Sequence, residues 1–251
     1  MSRFFFSFRD QGGGYTPDGS NIIEMRDIRK VYSKGSVKVE ALSGIDFHVE
    51  RGELVGIVGP SGSGKSTLLN LLGCLDTPTG GEYLLGGEPV ASLGRDELAE
   101  VRNRRVGFIF QNFNLLPQLT ALENVEMPLL FGGVSSKQRR EKASELLDQV
   151  GLGNRLDHRP SELSGGQMQR VAVARALAME PDILLADEPT GNLDTSSGSE
   201  VFSLLLELWQ QGRTVVVVTH DTSLAERVPR LIELRDGQIV SGNGAKAAVG
   251  A

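Results

Sequence analysis

The sequence of 251 residues has little of three things: long apolar runs, cysteine and an excess of positive charge. No apolar stretch approaches the roughly 18 residues of a membrane span, so any membrane role is expected to come through a partner. The single cysteine, Cys74, allows no internal disulfide and suits a reducing compartment such as the cytoplasm. The net charge of -6 argues against nucleic acid as a partner, because phosphate backbones call for clustered Lys and Arg.

The two ends of the chain differ from its centre. The sequence predicts one globular domain over residues 21–242, between a tail at 1–20 and a short tail at 243–251. Gly12-Gly13-Gly14 offers little to pack, so disorder is expected in the first tail. Its Phe4-Phe5-Phe6-Ser7-Phe8 cluster is too short for the apolar part of a signal peptide. Contact of this cluster with a membrane surface or a partner is the less favoured alternative.

A glycine-rich stretch follows the apolar run Leu54–Val58 and has the parts that a nucleoside triphosphate needs. Glycines let backbone N–H groups wrap phosphate oxygens, and the start of the next helix adds favourable partial charge. Lys65 is expected to reach the β- and γ-phosphates and the Ser66 hydroxyl to bind Mg²⁺. The helix is predicted over Lys65–Gly73 from its leucine spacing. The residues predicted to bind nucleotide here are Gly59, Pro60, Ser61, Gly62, Ser63, Gly64, Lys65, Ser66 and Thr67.

Apolar periodicity predicts the remaining elements. Alternation over Ile22–Val49, interrupted at residues 33–36, indicates a hairpin, and a second hairpin is expected over Leu231–Val240. A mainly helical insertion is predicted at about 93–165. Further strands are predicted over Gly80–Leu85, Val106–Phe110, Ile183–Ala186 and Thr214–Thr219, and helices over Glu141–Val150 and Thr195–Gln210. The pattern indicates an α/β fold with a mainly parallel sheet.

Polar residues follow three of these strands at the edge where open α/β sheets bind ligands. Asp187 and Glu188 can divide labour, with Asp187 holding Mg²⁺ and Glu188 polarising the attacking water. The alternative, a strand end with solvated acids, is disfavoured by the phosphate loop. His220 ends the next strand, where a neutral imidazole can hydrogen-bond a γ-phosphate. Gln111 follows Val106–Phe110, where its amide can contact Mg²⁺ or the attacking water.

The pentapeptide Leu163-Ser164-Gly165-Gly166-Gln167 precedes a predicted helix. Ser164 suits the N-cap position, and paired glycines bring backbone N–H groups close to an anion. An ordinary capped helix would explain this stretch by itself. The order of the whole set along the chain outweighs that explanation: phosphate loop, Gln111, pentapeptide, Asp187-Glu188, Asp194 and His220.

That order resembles the ATP-binding cassette (ABC) family of ATPases over about residues 22–241. The resemblance implies a P-loop NTPase core with an antiparallel β subdomain and an inserted helical subdomain, and ATP and Mg²⁺ as cofactors. It implies that Gln111, Glu188 and His220 serve catalysis, and that Ser66, Gln111 and Asp187 serve the metal. Further nucleotide contacts implied are Tyr32, Ser164, Gly166, Gln167 and Asp194. Tyr32 would stack on adenine, and an ordinary strand tyrosine is its alternative.

Four longer stretches are similar to one bacterial branch, the lipoprotein-release (LolD-type) and macrolide-export (MacB-type) proteins. They are Gly73–Gly80, Leu119–Val125, His158–Glu162 and Ala186–Asp194. The branch implies an ATPase that forms a head-to-tail homodimer and drives separate integral membrane permease subunits from the cytoplasmic face of the inner membrane. The alternatives are a cell-division-type ATPase that signals across the membrane without transport, and a soluble cassette ATPase. The sequence does not identify the cargo.

Two segments after Gln111 carry more apolar side chains than an exposed connection needs. They are Asn112–Pro117 and Val125–Phe131. Either these side chains pack in the core of the helical part, or they form a surface groove for a short cytoplasmic helix of the membrane subunit.

Overall fold

The computed structural model describes residues 21–35 and 37–242, so the tails predicted at 1–20 and 243–251 lie outside the described residues. The strands are β1 (Asn21–Lys34), β2 (Val37–Glu50), β3 (Leu54–Val58), β4 (Gly80–Leu85), β5 (Glu88–Pro89), β6 (Val106–Phe110), β7 (Ile183–Asp187), β8 (Thr214–Val218), β9 (Arg230–Arg235) and β10 (Gln238–Gly242). The α-helices are α1 (Lys65–Leu72), α2 (Arg95–Arg105), α3 (Ala121–Phe131), α4 (Ser136–Gln149), α5 (Gly165–Leu177), α6 (Thr195–Gln210) and α7 (Thr222–Ala225). Within these described ranges, no helix has the length and apolar character to cross a membrane.

The smaller sheet is antiparallel and has the strand order β2-β1-β4-β5. Its first two strands form the hairpin that the sequence predicts, and Lys34 is paired with Val37 at its end. A bulge in β1 shifts the register between Met25 and Ile28, and Asp27 within it has a φ of 46°. The extra residue keeps the side chains of both Met25 and Ile28 buried, although they lie three positions apart.

The larger sheet has the order β10-β9-β3-β8-β7-β6 and is parallel except for the hairpin of β9 and β10. The mainly parallel α/β fold predicted from the sequence is therefore confirmed. The carboxyl ends of parallel strands meet at one edge of a sheet. That edge brings together the phosphate loop after β3, Gln111 after β6, Glu188 after β7 and His220 after β8.

The larger sheet separates two hydrophobic cores, because successive side chains of a strand point to opposite faces. Along β7, Ile183 and Leu185 belong to the core that also contains α1, α2 and the smaller sheet. Leu184 and Ala186 belong to the second core, beneath α3, α4, α5 and α6. This two-sided burial explains why β7 and β8 read as continuous apolar runs.

The helical part differs in extent from the range 93–165 predicted for it. Residues 106–110 within that range form β6, an edge strand of the larger sheet. Helix α2 packs Leu98 and Val101 into the first core rather than against the other helices. The mutually packed helices are α3, α4 and α5, and α5 extends to Leu177. The predicted range differs from the observed one because a helical pattern in the sequence identifies a helix but does not show which face of the sheet it packs on.

Candidate nucleotide-binding and hydrolysis site

The phosphate loop joins β3 to α1 through a backbone that only glycine can follow at two points. Gly59 has a φ of 156°, and a Cβ on it would lie 2.1 Å from the carbonyl oxygen of Leu234. Gly64, with a φ of 105°, precedes the first residue of α1, and a Cβ there would lie 2.7 Å from the carbonyl oxygen of Ala41. The loop therefore packs closely on β9 and β2 and presents backbone rather than side chains to the site.

Lys65 folds back over this loop. Its Nζ donates hydrogen bonds to the carbonyl oxygens of Gly59 and Pro60, at 2.8 Å and 2.9 Å. The ammonium is thus held beside the N-terminus of α1, where both the charge and the helix dipole favour an anion.

The loop borders a cleft of about 830 Å³ at the carboxyl edge of the larger sheet. Ser63 does not line it: the residue is 2% exposed and its hydroxyl has no hydrogen-bond partner. The Ser63 carbonyl instead accepts a bond from the N–H of Gly237, so this residue supports the loop from behind. The predicted site residues that do line the cleft are Gly59, Pro60, Ser61, Gly62, Gly64, Lys65, Ser66, Thr67, Gln111, Asp187, Glu188 and His220.

Asp187 and Glu188 end β7 inside this cleft. Burial raises the pKa of Asp187, the neighbouring charge of Glu188 raises it further, and Lys65 lowers it. A carboxylate in that position favours a bound cation, because the cation relieves the cost of burying its charge. Glu188 has a φ of 44°, a left-handed conformation that is strained for a residue with a side chain. Its N–H donates to the carbonyl of Val218, which holds the turn in place.

His220 contacts the second carboxylate. Its Nδ1 lies 2.7 Å from Oε1 of Glu188, and its backbone N–H donates to Oε2 at 3.4 Å. The imidazole side chain is 72% exposed, whereas the Glu188 side chain is 16% exposed. The pair therefore places a largely enclosed carboxylate beside a solvent-facing imidazole.

Gln111 is held by a residue that sequence reasoning did not single out as a functional side chain. Its Nε2 donates to Oδ1 of Asn192 at 3.3 Å, and Nδ2 of Asn192 donates to the Gln111 carbonyl at 3.1 Å. A Cβ on the adjacent Gly191 would lie 2.7 Å from Nε2 of Gln111, so the two segments pack tightly. In the sequence, Asn192 was marked only by its place in Ala186–Asp194, one of the stretches that resemble the family.

The pentapeptide Leu163–Gln167, which matches the signature motif of the family that the sequence resembles, is not among the described residues that line the cleft. Ser164 caps α5: its Oγ accepts from the N–H of Gln167 at 3.3 Å, and Oε1 of Gln167 accepts from the N–H of Ser164 at 2.9 Å. A Cβ on Gly166 would lie 3.1 Å from Ser197, in the first turn of α6, which Asp194 caps. None of Ser164, Gly166, Gln167 and Asp194 is among the described residues that line the cleft.

Tyr32 also lies outside the residues that line the cleft. Its hydroxyl donates to Oδ2 of Asp76 at 2.9 Å, and 41% of the residue is exposed. The side chain of Thr67, in the first turn of α1, hydrogen-bonds the Tyr32 hydroxyl and lowers its pKa, although burial and Asp76 raise it overall. The ring is therefore anchored near the first turn of α1.

Two further polar residues on α5 were missed in the sequence. Gln169 is fully buried, and its Nε2 donates to the carbonyls of Pro189 at 2.6 Å and of Phe110 at 3.3 Å. Arg175 donates to the carbonyls of Phe113, at 2.9 Å, and Asn114. Burial lowers the pKa of Arg175. Neither residue carries a signal in the sequence, because their partners lie far away along the chain.

The residues present fit a nucleoside triphosphate with Mg²⁺. The loop offers backbone N–H groups and one ammonium to phosphate oxygens, and the cleft is large enough for a nucleotide. Ser66 and Asp187 would hold Mg²⁺, which in such sites takes one or two protein oxygens and completes its shell with water and phosphate. The described residues contain no group of three His, Cys, Asp or Glu side chains placed to hold a metal.

The fold and this cleft define a phosphate-loop nucleoside triphosphatase with an added antiparallel sheet and an added group of helices. The family described as ABC transporter matches residues 42–191. The chain belongs to that family and is one of its ATP-binding cassettes.

Known proteins resemble the chain over most of its length. A chain from Thermotoga maritima, described as an uncharacterized ABC transporter ATP-binding protein, is 56% identical over 87% of this chain and 93% of its own length. The macrolide export ATP-binding/permease protein MacB of Brucella melitensis is 56% identical over 89% of this chain. This chain spans only 34% of that relative. A solved dimeric ATP-binding cassette in a post-hydrolysis state, bound to ADP and Pi, has a TM-score of 0.81 and 46% identity over 88% of this chain and 97% of its own.

Proposed function

We propose that this chain is the ATP-hydrolysing subunit of a bacterial ABC transporter, acting as a head-to-tail homodimer that drives separate membrane subunits. One observation carries the proposal. Lys65, Asp187, Glu188 and His220 converge on one cleft, while Ser164 and its helix lie outside it.

The side chains at the cleft have distinct roles in this proposal. Bound ATP would supply the phosphoanhydride bond, and Mg²⁺ would supply the charge that neutralises the phosphate oxygens. Lys65 and the loop N–H groups would hold the phosphates, and Gln111 would contact the metal and the attacking water. Glu188 accepts the proton of that water. His220, bonded to Oε1 of Glu188, orients the carboxylate.

The homodimer follows from the separation of the two motifs. A nucleotide bound at the phosphate loop must meet the signature residues of a second copy if it is to touch both. A two-fold axis would pair each loop with the partner's signature and form two equal sites. The solved dimeric cassettes that resemble this chain support the arrangement.

Mixed variants test the shared site. Lys65→Ala subunits keep the signature, and Ser164→Arg subunits keep the phosphate loop, so a heterodimer regains one intact composite site. We expect the mixture to hold one nucleotide tightly per heterodimer and to regain hydrolysis, while each variant alone does neither. A mixture no better than the separate variants would show that each chain completes its own site.

A surface groove is our candidate site for the membrane subunit. It has a volume of about 770 Å³ and opens between β6, α2, α3 and the end of α5. Phe131 on its wall is 73% exposed, an unusual state for so large an apolar side chain. The apolar wall and the charged rim favour an amphipathic helix with an acidic residue beside its apolar face. The lining residues that define these features are Phe108, Met127, Pro128, Phe131 and Met179, with Arg102, Arg104, Arg175 and Glu100.

The apolar side chains of Asn112–Pro117 and Val125–Phe131 lie partly in the core and partly at the groove. Val125 and Leu129 are buried in the second core, whereas Met127 and Phe131 line the groove. Leu115 packs against the second core, whereas Asn114 of the same segment lines the groove. Leu116 is 44% exposed but is not among the residues that line the groove.

We further propose that this chain lies on the cytoplasmic face of the inner membrane, where it drives membrane subunits that release lipoproteins or export cargo. The MacB relatives support export, since their name describes macrolide export by one protein that joins an ATP-binding part and a permease. The cell-division alternative would keep the membrane partner without transport. A permease that co-purifies with this chain, and whose reconstitution moves cargo in an ATP-dependent way, distinguishes the two.

A further inference from the structure

A partly buried ion pair contacts the tyrosine assigned to the adenine base. Lys30 is 7% exposed, and its Nζ donates to Oδ1 of Asp76 at 2.6 Å and to the carbonyl of Thr77 at 2.7 Å. The other oxygen of Asp76 accepts the hydroxyl hydrogen bond of Tyr32 at 2.9 Å. One carboxylate therefore joins the ammonium of β1 to the phenol two residues further along the same strand.

The same ammonium also touches the ring. Nζ of Lys30 lies over the Tyr32 ring at 4.9 Å from its centroid, within the range of a cation–π contact. The hydroxyl bond fixes the far end of the ring, and the cation covers one of its faces. Tyr32 is still 41% exposed, so part of the residue is open to a planar base.

Burial alone would raise the pKa of Asp76, but hydrogen bonds from Lys30, the Thr77 N–H and Tyr32 lower it overall. The carboxylate is thus charged when the protein is folded. A charged acceptor forms a stronger bond to the phenol than a neutral one does.

We propose that Lys30 and Asp76 are positioning residues for nucleotide recognition, which hold the Tyr32 ring in its stacking orientation and so set the affinity for the base. The inference rests on the proposed function, because it takes Tyr32 as the base contact. Neither residue touches the phosphates in this scheme, since phosphate binding belongs to the loop that begins at Gly59. Loss of the interaction between Asp76 and Tyr32 should therefore weaken binding of the base and leave binding of the phosphates unchanged.

The test compares ADP with inorganic pyrophosphate, which has the phosphates without the base. Affinities are measured calorimetrically for ADP, and by displacement of ADP for pyrophosphate. The main variant is Asp76→Asn, which keeps the side-chain shape. Tyr32→Ala reports the whole base contact, and Arg26→Met is the control, because it removes an exposed ion pair with Glu24 on the same strand.

We expect Asp76→Asn to weaken ADP binding about threefold to tenfold, the usual range for a cation–π or aromatic contact, with pyrophosphate unchanged. Combined with Tyr32→Phe, which lacks the hydroxyl, Asp76→Asn should have a smaller effect than it has alone. Arg26→Met should change neither ligand.

The outcomes distinguish failure of this inference from failure of the proposed function and from failure of the assignment of Tyr32 to the base. If the unmodified protein binds no ADP, the proposed function itself fails. If Tyr32→Ala binds ADP normally, Tyr32 is not the base contact and the inference falls with that assignment. If Tyr32→Ala weakens ADP binding but Asp76→Asn does not, or weakens ADP and pyrophosphate equally, the ion pair is structural and the positioning role is overturned.

Discussion

Nδ1 of His220 lies 2.7 Å from Oε1 of Glu188, although the two residues follow different strands of the larger sheet. The contact depends on the register of β7 and β8, in which Asp187 pairs with Val218. It also depends on the left-handed turn at Glu188, which directs the carboxylate toward the next strand. Backbone geometry thus brings the carboxylate that we propose as the base together with the His220 imidazole.

Glu188→Gln is expected to bind ATP but to hydrolyse it about 10²–10⁴-fold more slowly, because the amide keeps the shape and cannot accept the proton. Asp187 and Lys65 remain, so nucleotide affinity should be retained. Turnover and nucleotide binding by the purified variant check this. Turnover near that of the unmodified chain would remove Glu188 from the role of base.

Lys65→Ala should have the opposite pattern. It removes the ammonium that lies over the phosphate loop, so we expect ATP affinity itself to fall, by about tenfold or more, because a charge-assisted contact is lost. Equilibrium binding in the absence of hydrolysis measures the effect. Retained affinity with lost turnover would place Lys65 in catalysis rather than in phosphate binding.

Phe131→Glu is expected to prevent assembly with the membrane subunit while the isolated cassette still hydrolyses ATP. The residue is 73% exposed, so the substitution places a charge in the groove without disturbing the core. A central aromatic contact is typically worth 2 kcal/mol or more, or about 30-fold in affinity. Co-purification and permease-stimulated ATPase activity are the measurements.

Leu116→Glu is the matched control for that experiment. Leu116 is exposed but does not line the groove, so its substitution should leave assembly intact. If both variants lose the partner, the docking surface is wider than the groove. If neither does, the groove is not the docking site.

The buried thiol of Cys74 should make the free energy of unfolding fall as the pH becomes alkaline. Burial raises the pKa of its thiol to about 11, against an ordinary value of 9.0, while Arg102 and Arg105 lower it. The unfolded chain therefore loses the proton first, and stability should fall as pH rises from 9 to 11, by about 2 kcal/mol. Cys74→Ala should show a shallower fall over the same window in denaturant unfolding. Equal slopes for the two proteins would contradict the burial of the thiol.

The sequence predicted that several of these residues would meet, because they follow strand ends. Once Leu54–Val58 and Ile183–Ala186 are recognised as parallel strands, Lys65 and Asp187 must lie at one edge of the sheet, where both line the cleft. The sequence did not predict that Asn192 holds Gln111, since the choice of partner across 81 positions depends on loop packing.

The extent of the helical part was also hard to predict. The apolar positions of α2 indicate a helix equally well whichever core receives them. Side chains such as Gln169 were missed for a similar reason. A buried amide satisfied by two distant carbonyls has no local pattern.

Helix α5 has 13 residues and is therefore about 20 Å long. Ser164 caps one end of the helix. The other end carries Arg175, which donates hydrogen bonds to the loop after Gln111 and lines the groove. A stiff rod of this kind acts as a lever, since tilting one end must displace the other. If a nucleotide held by a second copy moves the Ser164 end, the wall of the groove has to move with it. Helix α5 alone would then couple the nucleotide site to the groove.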